Sequence, residues 1–240
     1  MRRVSLIRDS RLMVALLVLM AFAAVQVFAI QAGATLYRFD SILNNSAANA
    51  ATGENQLFMD VTDGGGGQVI FTFSNIGPNP SSITNVYFDD DETNRILPNT
   101  FTIVEGPGVL FSQPASPSYL PGWKYVTPPF VVTWGLSADA DLPLGANGVD
   151  PGEWVEFHFN LPVGKSFDDL ITELTMSDLR VGIGMRGFTR DLSCDIGETF
   201  INDPAPVPIP PTALLLGSGL LGLLGFRMEE RQEGVIPPGV

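Results

Sequence analysis

Two groups of acidic residues are the part of this sequence best suited to chemistry. The first group directly follows a predicted strand and comprises Asp89, Asp90, Asp91 and Glu92. The second, Asp139 and Asp141, lies in a predicted loop that ends near Asp150. Calcium binds about six to eight oxygen ligands, which adjacent loops at one end of a β-sandwich could supply. Calcium is therefore the one cofactor we consider, although neither group has EF-hand spacing and solvated acidic turns explain the same pattern.

Histidine and cysteine, which build many catalytic and zinc sites, occur once each, as His158 and Cys194. Ser-His-Asp or Cys-His catalysis would have to use His158, which strand alternation places on a solvated face far from Cys194 in the sequence. The usual zinc sites need several such ligands. Two carboxylates could serve a glycan-acting hydrolase, but the 22 acidic residues between 35 and 206 make any such pair unspecific. We predict no catalytic residues and no enzyme, with a hydrolase as the lesser alternative.

Three aromatic residues, Trp123, Tyr125 and Trp134, lie close together in the sequence. Exposed aromatic side chains can stack on sugar rings. Combined with the two acidic loops, they define an alternative function, a calcium-dependent carbohydrate-binding module. For Trp134 itself, the alternation of Phe130, Val132 and Trp134 predicts one shared strand face and hence a place in the core.

The residues between 36 and 200 predict a series of short strands, because apolar and aromatic runs alternate with Gly, Pro, Asn and Asp. The predicted strands are 69–73, 83–88, 101–104, 109–111, 130–134, 153–161 and 179–185. In the 153–161 strand, Val155, Phe157 and Phe159 share a buried face, whereas Trp154 lies on a solvated one.

One helix is predicted among these strands. Ser166 is a suitable N-cap, with Asp169 three residues later, and an apolar stripe at helical spacing follows. The expected fold class is mainly β, a single sandwich or jelly-roll-like domain over residues 35–203 with one short helix.

The N-terminus predicts export. Four arginines precede an uncharged apolar run over residues 12–25, and small residues follow it. This is the pattern of a signal peptide, here residues 1–34, which signal peptidase would cut after Ala29 or Ala34.

The C-terminus holds a second targeting feature. A proline-rich stretch opens it and comprises Val207, Pro208, Ile209, Pro210 and Pro211. Residues 212–226 carry no charge and are followed by Arg227. A helix of that length would reach roughly 22 Å, slightly short of a bilayer's hydrocarbon core. We assign residues 204–211 as linker and sorting motif, 212–226 as a transmembrane helix and 227–240 as a cytoplasmic tail.

This combination resembles the sorting signal of PEP-CTERM proteins, exported bacterial proteins processed by the membrane peptidase exosortase. Pro208-Ile209-Pro210 is similar to the Val-Pro-x-Pro variants of the usual Pro-Glu-Pro motif, and 214–224 matches the Leu/Gly-rich helix. The resemblance implies a transient anchor in the inner membrane, an exosortase-type enzyme as partner, and a non-catalytic role at the cell surface or in an exopolysaccharide matrix.

The charge of the chain excludes one class of partner. Residues 1–34 carry four Arg and one Asp, so removing their net +3 from the chain's −13 leaves −16 on the rest. Residues 35–206 hold seven Lys and Arg against 22 Asp and Glu. Such a surface repels phosphate backbones, and nucleic acid is therefore not expected as a partner.

Overall fold

A computed structural model describes residues 34–90, 95–187 and 197–207. The strands of these ranges are β1 (Ala34–Tyr37), β2 (Phe39–Ser41), β3 (Leu57–Gly65), β4 (Gln68–Asn75), β5 (Ser82–Asp90), β6 (Thr102–Glu105), β7 (Phe111–Ser112), β8 (Ser137–Ala140), β9 (Trp154–Asn160), β10 (Leu179–Arg186) and β11 (Glu198–Asn202). They form two antiparallel sheets, in the orders β1-β3-β4-β9-β6 and β2-β11-β10-β5-β8-β7. The predicted mainly β class is confirmed.

The two sheets pack face to face around an aromatic core. Phe88 of the second sheet lies against Phe71 and Phe159 of the first, with ring centroids 5.3 and 5.2 Å apart and edge-to-face geometry. Each such pair contributes roughly 0.5 to 1.5 kcal/mol beyond the burial of its area. Phenylalanines that alternate along β4 and β9 therefore form the contact between the two sheets, with aliphatic side chains around them.

The predicted register of β9 is confirmed. Val155, Phe157 and Phe159 are fully buried, whereas Trp154 is only partly covered. The alternation was readable because only one face of this strand packs on the core.

Two predicted strands and one predicted loop need correction. The 130–134 segment is not a strand, and the 109–111 strand is reduced to the two residues of β7. Asp139, expected in a loop, lies within β8, whose sequence Ser-Ala-Asp-Ala has little intrinsic strand preference. This segment is a strand because it pairs with β5, from Asn85↔Asp139 to Tyr87↔Ser137.

The described residues form three α-helices, so the expectation of one helix is wrong. They are α1 (Ala47–Gln56), α2 (Leu144–Asn147) and α3 (Phe167–Met176). The predicted capping box of α3 is present, since Asp169 N donates to Ser166 Oγ at 3.2 Å and Ser166 N donates to Asp169 Oδ2 at 2.8 Å. Helix α1 gave no signal because it lacks an apolar stripe. It packs through Gly53, where an added Cβ would collide with the Phe200 ring.

Both ends of the described chain lie at the β1 edge of the first sheet. Val207, assigned above to the linker, donates its amide to the Leu36 carbonyl at 2.7 Å and so lies against β1. The predicted signal helix up to residue 33 and the predicted sorting helix over 212–226 lie outside the described residues. Within the described part of the chain, no helix is long and apolar enough to cross a membrane.

Candidate functional site

The long connection from β7 to β8, residues 113–136, covers the outer face of the second sheet. We call it the β7–β8 loop. Tyr87 alternates with the core residues Val86 and Phe88, and it therefore points to this outer face. There it packs with Leu120 and Phe130 of the loop in a second apolar cluster. Connections of this length in compact domains are uncommon and are often functional.

Asp89 and Arg180 hold the middle of the β7–β8 loop. Arg180 donates to the carbonyls of Pro128 and Pro129 at 2.7 and 2.8 Å and forms an ion pair with Asp89. Asp89 Oδ2 also accepts a hydrogen bond from Val131 N at 3.0 Å. The side chains of the pair are only 12% and 13% exposed. Asp89, a predicted calcium ligand, thus fixes the loop to the sheet.

The Asp90 side chain points to the opposite side of β5 from Asp89 and binds the backbone of the segment that contains Ile96 and Leu97. Its carboxylate accepts hydrogen bonds from Ile96 N at 3.1 Å and Leu97 N at 2.7 Å. Its own amide donates to Thr133 Oγ1 at 2.8 Å, and this hydroxyl donates to the Asp90 carbonyl at 3.0 Å. Burial raises the pKa of Asp90, and the two amide hydrogen bonds oppose that rise. Asp90 therefore supports the end of the loop that carries Trp134.

Asp139 holds the beginning of the same loop. Its carboxylate accepts a hydrogen bond from Ser116 N at 3.0 Å. The hydroxyl of Ser137, two residues earlier on β8, accepts one from Ala115 N at 3.2 Å. Tyr87 adds a hydrogen bond from its hydroxyl to the Pro117 carbonyl at 3.0 Å. Burial also raises the pKa of Asp139.

Among the described residues, the structure does not bring the two predicted groups of calcium ligands together. Asp139 pairs with Asn85, so Asp89 lies four positions further along β5, about 13 Å at the usual rise per residue. Ligands of one calcium ion lie within about 2.6 Å of it, so Asp89 and Asp139 cannot share an ion. Asp141 is exposed beyond the end of β8, and Asp91 is outside the described residues. The described ranges contain no group of three or more His, Cys, Asp or Glu suited to a metal. Calcium binding stays a prediction.

The aromatic side chains of the β7–β8 loop are largely exposed. Trp134 is 81% exposed, Tyr125 67% and Trp123 41%. The prediction that Trp134 packs in the core is wrong. Phe130 and Thr133 are the buried residues of this segment, and their spacing of three differs from the period of two in a strand. Thr133 faces inward because it forms hydrogen bonds with Asp90.

A cavity of about 500 Å³ lies beside Trp134. Its lining combines aromatic, aliphatic and uncharged polar side chains: Asn99, Thr100, Gln113, Pro114, Ser118, Val132, Thr133, Trp134, Gly135 and Ser137. Within the described part of the chain, the side chains of Asn99, Thr100 and Ser118 form no hydrogen bonds. They are therefore available to a ligand that meets the Trp134 ring.

Asn99, Thr100 and Ser118 were not predicted as site residues, because polar residues in turns carry no distinctive pattern. The available signal was the unusual length of the proline-rich segment between two strands, together with its aromatic residues.

His158 is where the sequence placed it, on the partly exposed face of β9 with its Nε2 2.8 Å from Glu156 Oε2. It lies on the first sheet, whereas the β7–β8 loop covers the second.

Of the predicted sorting motif, only Val207 is described, and Pro208, Ile209, Pro210, Pro211 and Arg227 lie outside the described residues. No family model, curated protein or solved structure matches the chain. Its function is therefore inferred from the chemistry of its surface.

Proposed function

We propose that this is an exported, non-catalytic bacterial protein of the cell surface or extracellular matrix, and that its β7–β8 loop binds polysaccharide. The observation that carries the proposal is the position of Trp134, which is 81% exposed and lines a cavity with unpaired polar side chains. Exposure alone does not distinguish Trp134, since Leu142 is 83% exposed, but the Trp134 ring also borders a cavity and is able to stack on a sugar ring.

A sugar chain fits this surface better than a purely apolar ligand does. The flat C–H face of a pyranose ring can stack on the Trp134 indole, and the hydroxyl groups at the ring edge need hydrogen-bond partners. Asn99, Thr100 and Ser118 supply donors and acceptors beside the indole. The cavity of about 500 Å³ lies within the range of about 300 to 1,000 Å³ usual for ligand sites.

The loop is also rigid enough to present such a surface. Arg180 fixes its middle, Asp139 its beginning and Thr133 its end, all through hydrogen bonds to the sheet. A preformed surface avoids much of the entropic cost of ordering a loop on binding.

Export and temporary anchoring complete the proposal. The arginine-led signal peptide would direct the chain across the inner membrane, and the motif from Val207 with the helix over 212–226 would hold it there until an exosortase-type enzyme cuts near Pro208–Pro211. The contact between Val207 and Leu36 supports this arrangement, because it brings the two ends of the domain to one edge. Both hydrophobic segments could then enter the same membrane from one side.

The test is binding to a polysaccharide array by the full chain in detergent, with and without a calcium chelator. Trp134→Ala should weaken binding roughly 30-fold, the equivalent of about 2 kcal/mol of lost aromatic burial. Met176→Ala, which truncates another exposed apolar side chain at the end of α3, is the matched control and should bind normally. Equal binding by the Trp134 variant and wild type would refute the proposal. If the wild type binds without the chelator but not with it, the calcium-dependent alternative is favoured.

A further inference from the structure

Among the described residues that line it, the cavity beside Trp134 has no charged side chain. Its polar groups are one carboxamide from each of Asn99 and Gln113 and the hydroxyls of serines and threonines. Carboxylate and sulfate groups bind tightly where arginine or lysine provides charge-assisted hydrogen bonds. Neutral hydroxyl groups need only uncharged donors and acceptors, which this lining offers.

Among the described residues, four cations lie near the loop. Arg186 lines a second cavity with Ser116 and Pro117 of the loop, away from the cavity beside Trp134, and the other three each have a contact. Arg180 is bonded to Asp89 and to two proline carbonyls. Arg95 Nη2 donates to the Trp134 carbonyl at 3.4 Å. Lys124 Nζ lies 5.6 Å from the centre of the Tyr125 ring, and it is the most exposed of the three.

The acids around these cations offset them. Asp89, Asp90 and Asp139 all bond to the loop or to its immediate support. Across residues 35–206, 22 acidic side chains face seven basic ones. An anionic polymer would therefore meet a repulsive field wherever it extends beyond the cavity, most strongly at low salt.

From these observations, and resting on the function proposed above, we propose that the ligand is a neutral pyranose polymer and that uronic-acid or sulfated polysaccharides are rejected. The sugar ring stacks on Trp134, and hydroxyl groups at its edge bond to Asn99, Thr100 and Ser118. The specificity arises because the described lining of the cavity offers no cationic partner and the surface around it is acidic.

A matched pair of probes tests this inference: polygalacturonate and its carboxyl-reduced form, the same polymer without its charges. The full chain in detergent is titrated with each at low and at high salt. We expect the reduced polymer to bind at least tenfold more tightly at low salt, with an affinity that changes less than twofold between the two salt conditions. High salt should reduce the difference in affinity between the two polymers, because it weakens the repulsion between polygalacturonate and the acidic surface.

Three variants accompany the titration. Trp134→Ala and Asn99→Ala should each weaken binding of the reduced polymer by about tenfold or more, and circular dichroism checks that both are folded. Lys124→Gln should leave it unchanged. Tighter binding of polygalacturonate, lost at high salt or in the Lys124 variant, would overturn neutral-glycan specificity while leaving glycan binding itself intact. If neither polymer binds in a way that depends on Trp134, and no polysaccharide on the array binds either, then both the proposed function and this inference are wrong.

Discussion

Replacing Asp89 with asparagine should loosen the β7–β8 loop while leaving the sandwich folded. The carboxylate forms the ion pair with Arg180 and accepts a hydrogen bond from Val131 N. Removing one partner of a fully buried ion pair costs about 3 to 5 kcal/mol. Here the carboxamide still accepts from Val131 N, and Arg180 keeps the carbonyls of Pro128 and Pro129. We therefore expect a smaller loss, about 1.5 to 3 kcal/mol, typical of a hydrogen bond to a charged group.

The loss should appear as local opening. A change of about 1.5 to 3 kcal/mol corresponds to roughly 10- to 150-fold more frequent opening of the loop. Hydrogen exchange measured by mass spectrometry should therefore speed up by that factor in peptides covering residues 130–134, and polysaccharide binding should weaken with it. Exchange in the core strand β9 should change far less.

Asp141→Asn is the control, because Asp141 is exposed and its hydrogen bonds to Leu110 and Asn147 use only its backbone. It should exchange like wild type. If the Asp89 variant also exchanges like wild type over 130–134, the ion pair does not hold the loop. If both variants lose a stabilisation that depends on added calcium, the two carboxylates act as metal ligands.

The remaining predictions concern the core, the pH dependence and the C-terminus. Phe157→Ala should lower the free energy of unfolding by about 3 to 5 kcal/mol, since the ring is fully buried between Phe73 and other rings, whereas Trp154→Ala should cost much less. Urea denaturation gives both values, and the reverse order would mean that the face assignment of β9 is wrong. Burial raises the pKa of Asp90 and of Glu173, so the folded state binds their protons more tightly than the unfolded state does. The free energy of unfolding should therefore rise as the pH falls from neutral towards the unfolded-state pKa values of these groups, near about 4. Calorimetry that shows a lower unfolding temperature at about pH 5 than at pH 7 would contradict this. Mass spectrometry of protein from its native host should find a C-terminus near Pro208–Pro211, and intact chains ending at Val240 with the processing enzyme active would contradict it.

Features encoded by neighbouring residues could be predicted from the sequence. The alternation of Val155, Phe157 and Phe159 identified the buried face of β9, because a strand packed on one side imposes a period of two. The capping box of α3 was equally local, since Ser166 and Asp169 satisfy each other's backbone amides within one turn.

The site depended on contacts between distant segments. Asp89 and Arg180 are 91 positions apart, so nothing beside Asp89 in the sequence distinguished a loop anchor from a calcium ligand. Trp134 was misplaced for a related reason, because Thr133 turns inward to bond to Asp90, 43 positions away, and leaves the indole outside. The sequence by itself determined the apolar face of β9 and the start of α3. Only the tertiary structure decided which carboxylates are used internally and which aromatic rings stay exposed, because the partner that buries or neutralises a side chain is supplied by another part of the chain.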